Sequence, residues 1–264
     1  MMSKAFVDHF QAVTQHYLSH RPSYPAALFD WLAQRCSQHE LAWDCGTGNG
    51  QAAVSLAQHF QRVLATDAST AQIAAATAHE RVEYRLAPAE NSGLEPASVD
   101  LLIVAQALHW FDLERFYAEA RRVLKPTGIV AVWCYGIVEL EGDAANQLLQ
   151  HFYHQVVGPY WPAEREHVET GYRQLPFPFT PIEAPAFAMQ HTWTRAQLMG
   201  YLRSWSATGR YQAAQGVDPV LAFEQAISSA WGDAERGRLI SWPLSVRVGR
   251  ASGGERVLCA GWLR

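Results

Sequence analysis

Residues Leu41 to Ala53 read LAWDCGTGNGQAA. An apolar run ends in Asp44, glycines stand at 46, 48 and 50, and an alanine-rich stretch follows. The pattern is that of a short buried strand, a tight turn and the opening of a helix. Glycine admits positive φ and lets a ligand press against bare backbone. In open α/β sheets, ligands bind beyond the C-terminal ends of the strands. A dinucleotide fingerprint would place its third glycine at 51, where this chain has Gln51. A diphosphate also gains nothing from an acid such as Asp44 beside it. A ligand bearing an ammonium or sulfonium cation does.

Outward from this turn the chain alternates. Strands are expected at 41–45, 62–67, 82–87, 99–106 and 129–135. Helices are expected at 50–60, 70–79 and 113–124. Short, largely apolar strands separated by helices imply a parallel sheet covered on both faces. The fold class expected is therefore α/β: a Rossmann-like, doubly wound, mostly parallel sheet. A C-terminal antiparallel hairpin is expected from 244–250 and 255–263, joined through ASGG. Upstream of the core, helices are expected at 5–20 and 26–36 around the stiff RPSYP segment at 21–25. Downstream, 139–157 reads as helical, 158–185 is rich in proline and aromatic residues, and 187–193 reads as a strand. Helices at 195–206 and 217–231 follow. The organisation expected is 1–38 as N-terminal helices and pocket cover, 39–135 as a cofactor-binding core, 136–240 as a substrate-covering segment, and 241–264 as terminal strands completing the sheet.

Bulk properties narrow the function. The chain has 264 residues, 49% of them hydrophobic, and a formal charge of −4 from 21 basic and 25 acidic side chains. That is enough apolar material for a core, and no long basic block calls for a nucleic-acid partner. Cys36, Cys45, Cys134 and Cys259 are too scattered for zinc-ligand spacing, and His151 and His154 lack a supporting acid. No metal is expected. The N-terminal stretch has no apolar signal core and no stretch approaches membrane-spanning length, so a cytoplasmic protein without a membrane partner is expected, as a monomer or homodimer.

The ordered set of motifs resembles the class I S-adenosylmethionine-dependent methyltransferases. DCGTGNGQAA is similar to their glycine motif, VLATD to the second-strand end, and APAEN to the segment after the third strand. VDLLIVAQALHWFD is similar to the fourth-strand motif, and RVLKPTGIVAVW to the helix, turn and fifth strand. RPSYP, DASTAQI, ALHWFD and YLRSWSATGRY resemble the small-molecule branch that contains trans-aconitate methyltransferase. The resemblance implies S-adenosyl-L-methionine as cofactor and transfer of its methyl group to a small molecule, such as a carboxylate. The alternatives are a non-catalytic S-adenosylmethionine or nucleotide-binding protein and a nicotinamide-dependent oxidoreductase.

It also implies roles for residues. Asp44, Gly46, Thr47, Gly48 and Gly50 would form the cofactor turn. Asp67 would take the ribose hydroxyls, and Ala89 and Glu90 would flank adenine. Arg21, whose bidentate fork suits a carboxylate, and Tyr24 would close the pocket, and Gln106 would join the cofactor contacts. His109 is the candidate general base. Trp110, Trp133, Tyr135 and Trp205 are candidates for the acceptor pocket. Arg195, Arg203, Arg210 and Arg247 are candidate cations for an acidic substrate. If the acceptor is a carboxylate, it is already ionised at neutral pH and no base is required.

Overall fold

The computed structural model describes residues 23–251. The helix expected at 5–20, Arg21, Cys259 and the strand expected at 255–263 lie outside the described residues.

In chain order the elements are α1 (Ala26–Ala33), β1 (Leu41–Cys45), α2 (Gln51–Leu56), β2 (Arg62–Asp67), α3 (Thr70–Ala74), β3 (Val82–Leu86), β4 (Val99–Ala105), α4 (Leu113–Val123) and β5 (Leu124–Tyr135). Next come β6 (Glu139–Leu140), α5 (Asp143–His151), α6 (Arg165–Glu169), β7 (Thr180–Ile182) and β8 (Phe187–Trp193). The chain ends with α7 (Arg195–Arg203), α8 (Ser206–Gln215), α9 (Pro219–Trp231) and β9 (Arg238–Arg250).

Contacts divide the chain into two units. One holds described residues 29–132, 176–185 and 246–251. The other holds 23–28, 133–175 and 186–245. Strands β5 and β9 contribute residues to both.

In the first unit the strands run in the order β3-β2-β1-β4-β5. Pairing is parallel between β1 and β2, β1 and β4, and β2 and β3. Each strand is buried where the sequence is apolar: Ala42, Trp43, Val63, Leu64 and Leu101 to Val104 are at most 2% exposed. Helix α4 shows why a single face suffices to dock it. Phe116, Tyr117, Ala120 and Val123 point inward, the Asp112 side chain caps the Arg115 amide, and Arg121 and Arg122 sit in the last turn. A capping acid at the start and cations at the end both favour the helix dipole. The chain order 3-2-1-4-5 puts the topological switch point between β1 and β4. At the end of β9, residues Val248 to Arg250 pair antiparallel with β7.

In the second unit β9 pairs antiparallel with β8 from Arg238 to Leu244, and with β6 at Ile240 and Ser241. Helix α7 begins with a complete capping box between Thr194 and Gln197, which satisfies amide donors at both ends of that turn. Helix α9 begins at Asp218 followed by Pro219 and stops at Gly232.

The doubly wound sheet with antiparallel C-terminal strands and helical cover agrees with the fold expected. Several element limits do not. The helix expected at 70–79 ends at Ala74, that at 50–60 covers Gln51–Leu56, and that at 26–36 stops at Ala33. The helix expected at 195–206 ends at Arg203, and a separate α8 follows. Strand β5 begins five residues early, through the KPTG expected as a turn, and β9 begins at Arg238 rather than 244. Among the described residues, no helix is long and apolar enough to cross a membrane.

At the N-terminal edge of β1, Lys125 holds the sheet together electrostatically. Its Nζ lies 2.8 Å from Asp100 Oδ1 and 2.6 Å from Glu40 Oε2. Asp100, 4% exposed, accepts the Glu40 and Leu41 amides on its other oxygen at 2.9 and 3.0 Å. Removing one partner of a buried pair leaves the other charge uncompensated, at roughly 3 kcal/mol or more. Lys125→Met is therefore expected to lower the unfolding free energy by about 3 kcal/mol. Urea denaturation checks this, and a loss below about 1 kcal/mol would show that the two amides alone satisfy Asp100.

Candidate cofactor site

The site sits where the turn after β1 meets the loop after β4, both in the first unit. Gly46 has φ +73, and a Cβ there would come within 2.7 Å of the Ala107 Cβ. Gly50 has φ +87, and a Cβ there would strike the Tyr84 ring, 2.8 Å from Cε1. The glycines therefore permit the turn to lie between the loop after β4 and the Tyr84 side chain of β3, a requirement of the protein itself.

The amides of this turn are already engaged. The Gly46 and Thr47 N–H groups both donate to the Thr66 carbonyl, at 2.8 and 2.9 Å. Gly48 N–H donates to Asp67 Oδ2 at 2.9 Å, and Gly50 N–H to the Thr47 carbonyl at 3.0 Å. A phosphate-cradling loop works by aiming such donors at the anion. Here four of them face inward, which disfavours a diphosphate at the turn.

Asp44 and Asp67 set the local charge. Asp44 is fully buried. Its Oδ2 accepts the Thr47 hydroxyl at 2.6 Å, while Oδ1 is buried with no hydrogen-bond partner. Burial pushes its carboxyl up to about 7. The Thr47 hydroxyl opposes the shift, the Asp67 charge adds to it, and the Ala53 amide is near enough to favour the ionised form without making a full hydrogen bond. A buried carboxylate oxygen without a donor is costly, and it suits a cationic ligand group. Asp67 is also raised by burial, against the pull of the Ser69 and Gly48 amides. Its Oδ1 accepts Ser69 N–H at 2.8 Å. Each oxygen thus holds one amide and retains a lone pair for a hydroxyl donor.

The other candidates in this unit gather along the same sheet edge. Ala89 is buried. Glu90 Oε1 accepts the Asp112 amide at 3.0 Å and so ties the loop after β3 to the start of α4. Gln106 has φ +58, a conformation that costs a non-glycine residue energy and often marks functional positions. His109 and Trp110 follow on a 3-10 turn, ring centroids 4.8 Å apart, both half-buried.

Candidates in the second unit form separate groups. Tyr24 meets Trp133 edge-on at 5.5 Å, and Trp133 is fully buried. Trp205 joins Phe152, Tyr153, Trp161 and Tyr201 in one aromatic cluster. Tyr135 lies close enough to Arg165 to act on it electrostatically, as does Tyr201. Sequence reasoning missed Arg165 altogether. Its signal was the four-residue spacing of Trp161 and Arg165, hidden in a segment with no periodicity. Of the arginines singled out, Arg203 pairs with Asp218 at 2.8 Å. Cys36, Cys45 and Cys134 are buried free thiols, and burial pushes Cys36 and Cys134 up to about 12.

A parallel sheet with a glycine turn at its switch point, flanked by the buried Asp44 and the half-buried Asp67, defines a nucleoside-cofactor domain of the Rossmann-like class. A methyltransferase-domain family model matches residues 43–132. Over 229 residues the chain is 31% identical to a Dictyostelium discoideum protein described as a methyltransferase, covering 86% of this chain and 87% of that one. A solved structure described as a type II methyltransferase from Anaeromyxobacter dehalogenans shares 45% identity, covers 88% of this chain and 98% of its own, and superposes with a TM-score of 0.84. A Saccharomyces cerevisiae protein described as an S-adenosylmethionine-dependent methyltransferase is 33% identical over 130 residues, 46% of this chain and 44% of that one. The chain belongs to the class I S-adenosylmethionine-dependent methyltransferases.

Thr47 offers a direct check on the buried acid. Because the Asp44 carboxyl is raised in the folded protein, its contribution to stability is present below the ordinary carboxylate range and is lost as pH rises toward 7. Thr47→Val removes the one side-chain donor and extends that loss above pH 7. The expected cost is about 1–3 kcal/mol at pH 8 and less at pH 6. Thermal denaturation at the two pH values measures it, and an equal cost at both would show that Asp44 does not titrate in this range.

Proposed function

We propose that this enzyme transfers the methyl group of S-adenosyl-L-methionine to a carboxylate oxygen of a small organic acid. The observation that carries the donor half is Asp44 Oδ1, buried without a donor beside a turn in which the Gly46, Thr47, Gly48 and Gly50 amides are engaged within the protein. In this reading Asp44 takes the cofactor's ammonium group. Asp67 takes the ribose hydroxyls on its remaining lone pairs. Gly46, Thr47, Gly48 and Gly50 shape the wall against which the cofactor lies, Ala89 and Glu90 flank its adenine, and Gln106 contacts it from the β4 side. Arg21 is proposed for the methionyl carboxylate, with Tyr24 closing the pocket.

When bound, the cofactor supplies an already activated methyl group, so the chain's task is to position and to exclude water. A carboxylate acceptor carries no proton to be removed. His109 then has no compulsory role as a base, and Trp110, Trp133, Tyr135 and Trp205 serve as walls. The acceptor half is supported by the resemblance of RPSYP, ALHWFD and YLRSWSATGRY to the branch containing trans-aconitate methyltransferase. The activity is proposed for the cytoplasm, in a monomer or homodimer, on a small molecule rather than on nucleic acid.

Calorimetry with S-adenosyl-L-methionine tests the donor half. Below pH 7 the free Asp44 carboxyl is largely neutral, and an ammonium partner favours its ionised form. Binding at pH 6 should therefore release a proton, seen as a heat that varies with buffer, and affinity should rise with pH and level off above 7. Asp44→Asn is expected to weaken binding roughly 10- to 100-fold and to abolish the pH dependence. A pH-independent affinity in the wild type, or clean titration by a pyridine dinucleotide instead, would refute the assignment. A methyl-transfer assay against organic acids then separates an enzyme from a binding protein.

A further inference from the structure

A second candidate site lies within the second unit. Tyr153, Gly158, Trp161, Arg165, Glu166 and Glu169 are among the residues lining a cavity of about 350 Å³. The Arg165 guanidinium sits 4.8 Å from the Trp161 ring centroid and 5.7 Å from that of Tyr153, with its side chain 17% exposed. Arginine has five N–H donors in a planar fork. In the structure Nε donates to the Tyr153 hydroxyl at 2.8 Å. Among the described residues, the Nη donors make no hydrogen bond. The indole Nε1 of Trp161, in the same lining, is also buried without an acceptor. A half-buried guanidinium edge without a protein acceptor, beside a buried indole donor that has none, can take an acceptor from outside the chain.

We propose that Arg165, caged by Tyr153 and Trp161, binds the carboxylate of a small monocarboxylic acid with a flat apolar body. The Nη1–Nη2 edge suits a carboxylate bidentately, and Trp161 Nε1 adds a third donor. Tyr153 is buried behind the guanidinium, and the half-buried Trp161 offers a flat body an apolar surface. Two acids shape the selectivity. Glu169 accepts the Tyr153 hydroxyl at 2.5 Å and lies 4.0 Å from Arg165 Nε, on the side away from the open edge. Glu166 also lines the cavity. Their charges oppose a guest with several negative groups, so a single carboxylate is selected. The site deepens the carboxylate reading above and rests on it for its substrate class.

Calorimetric titration of the full chain with benzoate, benzamide, citrate and inorganic phosphate tests this. Benzoate should saturate, and the other three should bind at least tenfold more weakly. Arg165→Gln should weaken benzoate at least tenfold, and Arg165→Lys, which keeps the charge without the fork, should fall between. The lysine variant decides the matter if the glutamine variant melts early. Absence of saturation by benzoate, equal binding of benzamide, tighter binding of citrate or phosphate, or wild-type affinity in Arg165→Lys overturns the site. Titration of the same samples with S-adenosyl-L-methionine separates this failure from failure of the donor assignment, because Arg165 variants should bind the donor as the wild type does.

Discussion

The Asp67 carboxylate joins three segments at once. It ends β2, accepts the Gly48 amide from the turn after β1, and accepts the Ser69 amide at the start of α3. The Thr66 carbonyl beside it takes the Gly46 and Thr47 amides. The glycine turn is thus held by the end of a neighbouring strand rather than by its own helix, whose first residue has no side-chain cap. Charge-assisted hydrogen bonds of this kind are each worth about 1.5–3 kcal/mol. They fix the turn's shape before any ligand arrives, which is what positions a cofactor without a large ordering cost.

That rigidity has an electrostatic consequence. With four of its amides turned inward, the turn sets carboxylate oxygens beside a ligand where a phosphate loop would set those donors. Asp44 adds a buried acid whose ionisation is suppressed by desolvation and by the Asp67 charge. Two acids near one turn repel an anionic diphosphate and favour a cationic, hydroxyl-rich ligand. The position of the glycine at 50 rather than 51 and the acid at 44 are therefore two expressions of one preference, visible in the sequence and explained by the hydrogen bonds.

Much of the core was legible because its strands are apolar runs of the right length. Leu41–Cys45 and Phe187–Trp193 appear where the sequence places them. The helix after Asp67 was overextended because alanine-rich sequence carries helix propensity to 79, whereas tertiary bonds claim the chain first. The Thr77 amide donates to the Asn49 carbonyl, and the Tyr84 hydroxyl donates to the Thr77 carbonyl. Helix α8 was invisible because SATGRYQAAQ has a central glycine and no apolar stripe, with only Ala207 and Thr208 buried. Strands β6 and β7, two and three residues long, are too short to show a period. Glu90 was read as a ligand contact, yet its tie to the Asp112 amide needs the fold to be seen. Of the Arg165 cage only the spacing of Trp161 and Arg165 is local, and Tyr153 joins it through the fold.

The magnitudes at Arg165 bear on the site proposed there. Taking a guanidinium out of water costs several kcal/mol even after relaxation. Against that stand two ring contacts, each worth about 0.5–2 kcal/mol, and one hydrogen bond to a tyrosine, at most about 3 kcal/mol. The nearest carboxylate, Glu169 at 4.0 Å, is itself engaged by Tyr153. These gains roughly offset the cost and leave little surplus, so for stability alone a methionine there would do as well as the arginine. Asp44 presents the same imbalance with the opposite sign: one hydroxyl donor for a fully buried carboxyl. The buried Asp44 carboxyl and the Arg165 guanidinium each have fewer protein partners than they can take, which is why the proposals made for them need ligands of opposite charge.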